Sequence, residues 1–212
     1  MQVSEIFYSI QGESTYTGLP CVFVRLTACN LRCVWCDTEY AFYGGEKTTV
    51  EQVLDKVRTF PARLVEITGG EPLLQEEVYP LMERLLAQGY RVMIETSGER
   101  SIARVPREVV KIVDVKCPDS GEEGTFDMSN LEQLAPHDQI KFVIASRRDY
   151  EFARDFTRQH ALGGRVAAVI FSPVHGKLDL PEMAGWILSD GLDVRFGYQL
   201  HKLIWGAEAR GV

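Results

Sequence analysis

Short runs of β-branched and other apolar residues alternate along the chain with stretches in which apolar residues recur every three or four positions. The short runs are typical of strands buried on both faces, and the longer spacing is typical of amphipathic helices. Their alternation predicts an α/β fold with parallel strands. The predicted strands are residues 22–26, 64–67, 91–95, 111–115, 140–144, 166–171 and 194–197.

The helices are predicted from the spacing of their apolar positions. The first begins after Thr49, with Gln52 three residues later in the pattern of a capping box. The second ends near Gly89 and contains Pro80, which a helix tolerates only in its first turn. Two further helices are predicted, one over residues 148–160 and one after Pro181. The apolar faces of the first two comprise Val50, Val53, Leu54 and Val57, and Val78, Leu81, Met82, Leu85 and Leu86.

Composition indicates one domain, residues 1–212, because 212 residues with 45% hydrophobic content suffice for a single core. The net charge of -7 argues against nucleic acid or an anionic membrane as a partner, since phosphate-binding surfaces need excess lysine and arginine. The N-terminal residues lack the basic and apolar regions of a signal peptide, and no apolar run approaches the roughly 18 residues of a membrane span. We therefore expect a cytoplasmic protein with a small-molecule or protein partner.

Three of the five cysteines follow the predicted strand 22–26 in the spacing C-x-x-x-C-x-x-C, at Cys29, Cys33 and Cys36. In a reducing cytosol such clusters more often hold metal than form disulfides. Iron–sulfur clusters usually take four cysteines, so three leave one iron open to an outside ligand, which indicates catalysis. Two alternatives remain from the spacing alone. The cysteines could hold a structural zinc with Cys21 or a remote histidine, or they could be inert buried thiols.

A second motif, Thr68-Gly69-Gly70-Glu71, follows the predicted strand 64–67. The glycine pair permits close backbone approach to a ligand, and Glu71 can accept hydrogen bonds from an ammonium group. Alone, the segment would be an ordinary turn. Together with the cysteines, and with Trp35 before the third of them, it resembles the signature of radical S-adenosylmethionine (SAM) enzymes. In those enzymes three cysteines hold a 4Fe-4S cluster and the glycine-rich element binds the methionine amine of SAM.

Over almost its whole length the chain resembles the 7-carboxy-7-deazaguanine synthase family. The most specific matches are Glu5-Ile-Phe7, Ser9-Ile-Gln-Gly-Glu13, Arg25, Cys36-Asp-Thr38 and Gln199-Leu-His201-Lys202. The resemblance implies a partial, incomplete β/α barrel with a reduced helix set, usually assembled as a homodimer. It also implies a lyase of the queuosine (7-deazapurine) pathway, which converts 6-carboxy-5,6,7,8-tetrahydropterin to 7-carboxy-7-deazaguanine with loss of ammonia. A 5'-deoxyadenosyl radical abstracts hydrogen from C6, the ring contracts, Mg2+ assists, and flavodoxin or ferredoxin supplies electrons.

The resemblance also assigns site residues. The 4Fe-4S ligands are Cys29, Cys33 and Cys36, and the magnesium ligand is Thr38. The substrate contacts are Ile10, Gln11, Gly12, Glu13, Arg25, Thr68 and His201. The SAM contacts are Trp35, Cys36, Asp37, Gly70, Glu71, Glu95, Asp114, Val115 and Lys116. Considered without the family, Arg25 has the alternative of a surface salt bridge, Glu95 would be a cap, and His201 would be a surface or packing residue.

The chain departs from the family at two places. Asp114-Val-Lys116 stands where Ser-Pro-Lys is frequent, and the chain continues past the histidine to Val212, whereas some members end in a proline whose carboxylate enters the site. Which tail group closes the pocket is therefore open. Cys21 and Cys117 match no cluster position, so we expect buried thiols there.

Two rival functions share parts of this pattern. An activase that installs a glycyl radical in a partner protein also carries C-x-x-x-C-x-x-C, and a noncatalytic zinc module could use the same thiols. The N-terminal Gln-Gly-Glu and the C-terminal Gln-x-His-Lys favour the synthase.

Overall fold

A computed structural model describes all residues 1–212 and contains one nine-stranded sheet. The strands are β1 Gln2–Ile10, β2 Pro20–Leu26, β3 Glu46–Lys47, β4 Leu64–Gly69, β5 Arg91–Thr96, β6 Val110–Asp114, β7 Gln139–Ile144, β8 Ala168–Pro173 and β9 Arg195–Phe196. The helices are α1 Val50–Arg58, α2 Val78–Ala87, α3 Asn130–Gln133, α4 Arg147–Gln159, α5 Leu180–Asp190 and α6 Leu200–Trp205. None of these helices has the length and apolar character needed to span a bilayer.

The sheet follows the chain in the order β3-β1-β2-β4-β5-β6-β7-β8-β9. From β2 to β9 every neighbouring pair is parallel, while β1 pairs antiparallel with β2 and β3. A sheet that adds parallel strands in one direction is the pattern of a β/α barrel. Because β3 and β9 form the two unpaired edges, the barrel is partial, and the predicted fold class is confirmed.

All seven predicted strands are present, although the last shrinks to Arg195–Phe196. The capping box of Thr49 and Gln52 begins α1, and Pro80 lies in the first turn of α2, as predicted. Strands β1 and β3 and helices α3 and α6 were not predicted. In β1, apolar residues are interspersed with polar ones, and only some of its residues are buried. Helix α6 has only six residues, and none of them is buried.

The two faces of the sheet differ in what they bury. The outer face packs against the helices in the main core of 38 buried residues. The inner face has an apolar floor near the amino ends of the parallel strands, formed by Cys21, Phe23, Leu64, Met93, Val110 and Ile112. Further along these four strands, and on the neighbouring β7, the inner face carries Arg25, Thr68, Glu95, Asp114 and Lys141. The polar groups thus gather at the carboxyl ends of the strands, where β/α barrels bind their ligands.

Candidate active site

The three cysteines of the motif lie on the loop that follows β2. Cys29, Cys33 and Cys36 are half-buried free thiols, and burial raises the pKa of each. No three histidine, cysteine or acidic side chains converge on a single metal position. Three thiols on one loop can each bind a different iron of an iron–sulfur cluster.

The Gly69-Gly70 segment packs directly against this cysteine loop. A Cβ atom added at Gly69 would lie 2.1 Å from the Leu26 carbonyl oxygen, and one at Gly70 would lie 2.8 Å from Cys29 Cβ. Gly69 also has φ of 146°, a conformation that L side chains rarely adopt. Only glycine permits this approach, so the structure brings together the two motifs that suggested the class of protein.

Buried hydrogen bonds of Glu71 hold the Gly69-Gly70 segment in place. Its carboxylate is fully buried and accepts hydrogen bonds from the backbone N–H of Leu73 and from the hydroxyl of Thr96, at 2.9 Å each. The N–H and hydroxyl of Ser97 each donate to Oε2 at 2.7 Å. Because protein donors occupy both oxygens, the geometry favours a role in positioning Gly70 over direct contact with a methionine ammonium.

The predicted SAM segment at the end of β6 contains an unpaired buried acceptor. Asp114 Oδ2 accepts a hydrogen bond from Lys116 Nζ at 2.7 Å, but Oδ1 is buried without any partner. Burial opposes the charge on Lys116, yet Asp114 outweighs it and holds the lysine pKa above its usual value. An orphaned carboxylate oxygen fits a ribose hydroxyl, which can donate to it. Val115 packs its side chain in the core and can contribute only its backbone.

The N-terminal and C-terminal motifs meet at the same end of the sheet. A Cβ atom at Gly12 would lie 2.1 Å from His201 Nδ1, and Leu200 N–H donates to the Gly12 carbonyl at 2.9 Å. Gln199 donates to Glu13 at 3.0 Å. Burial lowers the pKa of His201, although Glu13 opposes the shift. The predicted substrate contacts from the two ends of the chain therefore line one wall.

Arg25 lies beside this wall with part of its guanidinium unused. Its Nε donates to Glu5 Oε1 at 2.7 Å, and the Tyr40 hydroxyl donates to the same oxygen at 2.8 Å. Neither Nη group has a protein acceptor, so both can bind a carboxylate in the bidentate manner of arginine. The salt bridge considered from sequence does exist, but the Arg25 side chain is only 16% exposed. Thr68 is the register partner of Arg25 on β4.

The C-terminal tail returns to this ion pair. The Arg210 guanidinium lies 4.2 Å from the centroid of the Tyr40 ring, and Gly211 lies beside Glu5. The tail residues beside the ion pair of Glu5 and Arg25 are therefore Arg210, a cation, and Gly211. The sequence alone did not indicate which tail residues lie here.

The remaining predicted residues lie on the rim of the site. Thr38 donates to Asp37 Oδ1 at 3.0 Å, and Asp37 Oδ2 accepts from Lys202 Nζ at 2.6 Å. Burial opposes ionisation of Asp37, but the Lys202 ammonium prevails and lowers its pKa. Trp35 is half-buried under Lys177, whose Nζ lies 5.6 Å from the ring centroid. The contacts of Thr38, Asp37 and Trp35 with ligands stay predictions.

Two charged groups of the interior were missed from the sequence. Lys141 on β7 lies 3.2 Å from Glu13 Oε2 and also pairs with Glu95. Glu66 on β4 accepts a hydrogen bond from Gln11 Nε2 at 2.6 Å. A signal was present, because alternate residues of a strand share one face and Glu66 precedes Thr68 by two positions. Burial raises the pKa of Glu95, and the surrounding carboxylates raise that of Lys141 against burial.

A partial β/α barrel with a C-x-x-x-C-x-x-C loop after its first parallel strand defines a radical SAM protein, and the profile described as "Radical SAM superfamily" matches residues 24–116. A protein named 7-carboxy-7-deazaguanine synthase from Koribacter versatilis is 59% identical, and the match covers 100% of both chains. A protein of the same name from Chlorobaculum tepidum is 42% identical, and the match covers 100% of this chain and 97% of that protein. The crystal structure of QueE from Escherichia coli has a TM-score of 0.78 and 25% identity over 94% of each chain. The chain belongs to the 7-carboxy-7-deazaguanine synthase family.

Membership implies a 4Fe-4S cluster and SAM as cofactors, and the residues present fit both. The cluster fits the three half-buried thiols on one loop. SAM fits the orphaned Asp114 oxygen and the close approach of Gly70 to Cys29. The predictions of the family, of the enzyme class and of these two cofactors are confirmed.

Replacing Glu71 by glutamine should destabilise the protein and loosen the Gly70 segment. The Ser97 N–H would lose its acceptor, and hydrogen bonds to a charged group contribute about 1.5–3 kcal/mol each. We expect the free energy of unfolding, measured anaerobically with urea, to fall by about 2 kcal/mol or more. SAM should also bind less tightly. Glu83→Gln, on the exposed face of α2, is the matched control, and equal stability of the two variants would contradict the anchoring role.

Replacing Gly12 by alanine should push His201 out of place. Overpacking costs about 1–3 kcal/mol, which corresponds to roughly 5- to 150-fold weaker binding of a ligand that needs both residues. We expect the KM for substrate to rise while SAM affinity changes little. Gly185→Ala in α5, where an added Cβ meets nothing within 4 Å, serves as the control. An unchanged KM in Gly12→Ala would show that the His201 contact does not shape the pocket.

Proposed function

We propose that this chain converts 6-carboxy-5,6,7,8-tetrahydropterin to 7-carboxy-7-deazaguanine with loss of ammonia, in 7-deazapurine (queuosine) biosynthesis. The observation that carries the proposal is the meeting of Gly12 and His201 above a sheet end that also presents Arg25 and the cysteine loop. The site combines residues from both ends of the chain next to the loop that would hold the cluster, which suits a small carboxylated ring as the substrate. The glycyl-radical activase finds no support among the relatives described above.

In this proposal the chain binds, orients and shields, and the bound cluster and SAM supply the radical chemistry. Arg25 holds the substrate carboxylate with its two free Nη groups. The loop from Ile10 to Glu13 contacts the polar edge of the pterin, and His201 covers it. The apolar floor of the inner face keeps water away from the reacting carbon.

The magnesium site is proposed at Thr38. Mg2+ prefers oxygen ligands and keeps several waters, so it would bind the Thr38 hydroxyl and share the substrate carboxylate. Asp37 accepts hydrogen bonds from Thr38 and Lys202 and thereby fixes the hydroxyl of its neighbour. A divalent cation here would also offset the negative charge that the substrate brings.

The proposed partners are an electron donor such as flavodoxin or ferredoxin and a second copy of the chain, in the cytoplasm. In support of the donor, the cysteine loop exposes Val34 to 65%, so a docked protein can come close to the cluster. In support of the homodimer, α6 exposes the consecutive apolar residues Leu203, Ile204 and Trp205. Adjacent exposed apolar residues are frequent at protein interfaces.

The proposed activity is tested with anaerobically purified protein, reconstituted with iron and sulfide and supplied with SAM, dithionite, magnesium and the pterin. We expect mass spectrometry to detect 7-carboxy-7-deazaguanine with the wild type and with Cys117→Ala, whose thiol is buried in the main core and is not part of the C-x-x-x-C-x-x-C motif. Cys33→Ala should assemble no active cluster and form no product. If SAM is cleaved to 5'-deoxyadenosine while the pterin persists, the substrate assignment fails, and product from Cys33→Ala would refute the cluster assignment.

Replacing Arg25 by glutamine should weaken substrate binding, because a charge-assisted bidentate contact is lost. At about 1.5–3 kcal/mol for hydrogen bonds to charged groups, the KM for the pterin should rise about 10- to 150-fold. Arg25→Lys should recover only part of this, since lysine cannot bind in the bidentate manner. Arg63→Gln, exposed at the opposite end of the sheet, should leave steady-state kinetics unchanged. An Arg25→Gln enzyme with the wild-type KM would remove Arg25 from the site.

A further inference from the structure

Glu66 is a buried carboxylic acid for which neither the sequence nor the family resemblance gives a role. It lies on the inner face of β4, two residues before Thr68, and is 2% exposed. Its register partners are Phe23 on β2 and Met93 on β5, both of the apolar floor. An acidic side chain in such surroundings is costly unless it has partners.

The protein supplies Glu66 with a single hydrogen-bond donor. Gln11 Nε2 donates to Oε2 at 2.6 Å, and Oε1 receives no hydrogen bond from any protein group. The other end of the Gln11 amide accepts a hydrogen bond from the Glu13 N–H. Glu66 therefore fixes the loop that is proposed to read the substrate, and it keeps one oxygen free beside that loop.

The interior around Glu66 has more acceptors than donors. Glu13, Glu66 and Glu95 face one another around one cation, Lys141, which already pairs with Glu13 and Glu95. Burial and the neighbouring Glu95 raise the pKa of Glu66 to about 8, although the Gln11 hydrogen bond opposes the shift. A ligand that brings N–H donors to this carboxyl group would stabilise its ionised form.

The proposed substrate carries such donors on one edge. The 2-amino group and N3–H of a pterin are adjacent donors, and a single carboxylate oxygen has two lone pairs with which to accept from them. With the substrate carboxylate at Arg25, whose register partner Thr68 lies two residues beyond Glu66 on β4, this edge can point inward. No other carboxyl oxygen on the inner face of β4 is available to receive it.

We propose that Glu66 is a specificity-determining residue of the substrate pocket, whose Oε1 accepts hydrogen bonds from the 2-amino edge of the pterin while Oε2 holds Gln11 against the same ligand. The proposal rests on the proposed function and extends it to one residue. It assigns the recognition of the amino group, which distinguishes a pterin from a lumazine, to β4.

The test compares 6-carboxytetrahydropterin with its lumazine analogue, in which an oxygen replaces the 2-amino group. In Glu66→Gln, an amide donor replaces one acceptor oxygen. We expect KM for the pterin to rise about 10- to 100-fold with a smaller change in kcat. The preference for pterin over lumazine, as a ratio of kcat/KM values, should fall at least 10-fold. Glu83→Gln should change neither quantity.

Two further measurements separate recognition from mere stability. Thermal unfolding and SAM cleavage in the absence of pterin should match the wild type in Glu66→Gln. If the variant keeps the wild-type KM and preference, or if it loses SAM cleavage and thermal stability along with them, Glu66 is not a specificity residue. If the wild type itself forms no 7-carboxy-7-deazaguanine, the proposed function fails first and this assignment falls with it.

Discussion

The hydrogen bonds to the buried Glu71 carboxylate are the interaction on which the rest of the site depends. They join the turn after β4 to the end of β5, through Thr96 and Ser97. The same turn touches Cys29 through Gly70. One carboxylate thus fixes the distance between the glycine-rich segment and the cysteine loop. Because it is fully buried, its energy is large only while every donor stays in place.

This anchor also explains why the two motifs must follow neighbouring strands. Strands β2 and β4 are parallel partners, so their carboxyl ends lie side by side. The loops that follow them meet without any long connection. The glycine pair then removes the side chains that would keep the loops apart.

Much of this arrangement could be predicted from sequence because the parallel strands have a strong local signal. Residues 22–26 and 64–67 are apolar and short, and they locate both motifs at strand ends. Strand β1 could not be found in this way, because antiparallel pairing with β2 and β3 stabilises it despite polar residues such as Glu5 and Ser9. The anchoring hydrogen bonds of Glu71 could not be predicted either, because their donors Thr96 and Ser97, at the end of β5, are more than 20 residues away in sequence.

The polar residues missed from the sequence share one cause. Lys141 and Glu66 sit in strands whose apolar neighbours dominated the pattern, so their inner-face position was visible only through strand alternation. What alternation cannot supply is register, which decides that Glu66 lies in the layer of Phe23 and Met93. Register between strands distant in sequence depends on the whole sheet.

The distribution of charge across the interior gives a bound ligand one orientation. Arg25, with two free Nη groups, marks the side of β1 and β2, while Glu66, Glu95 and Asp114 mark the side of β4 to β6. A molecule with a carboxylate at one end and N–H donors at the other can satisfy both sides in only one direction. The reversed direction would place its carboxylate beside the buried carboxyl groups around Lys141, whose ammonium already pairs with Glu13 and Glu95. The placement of donors and acceptors thus sets the orientation before any contact with the cluster is considered.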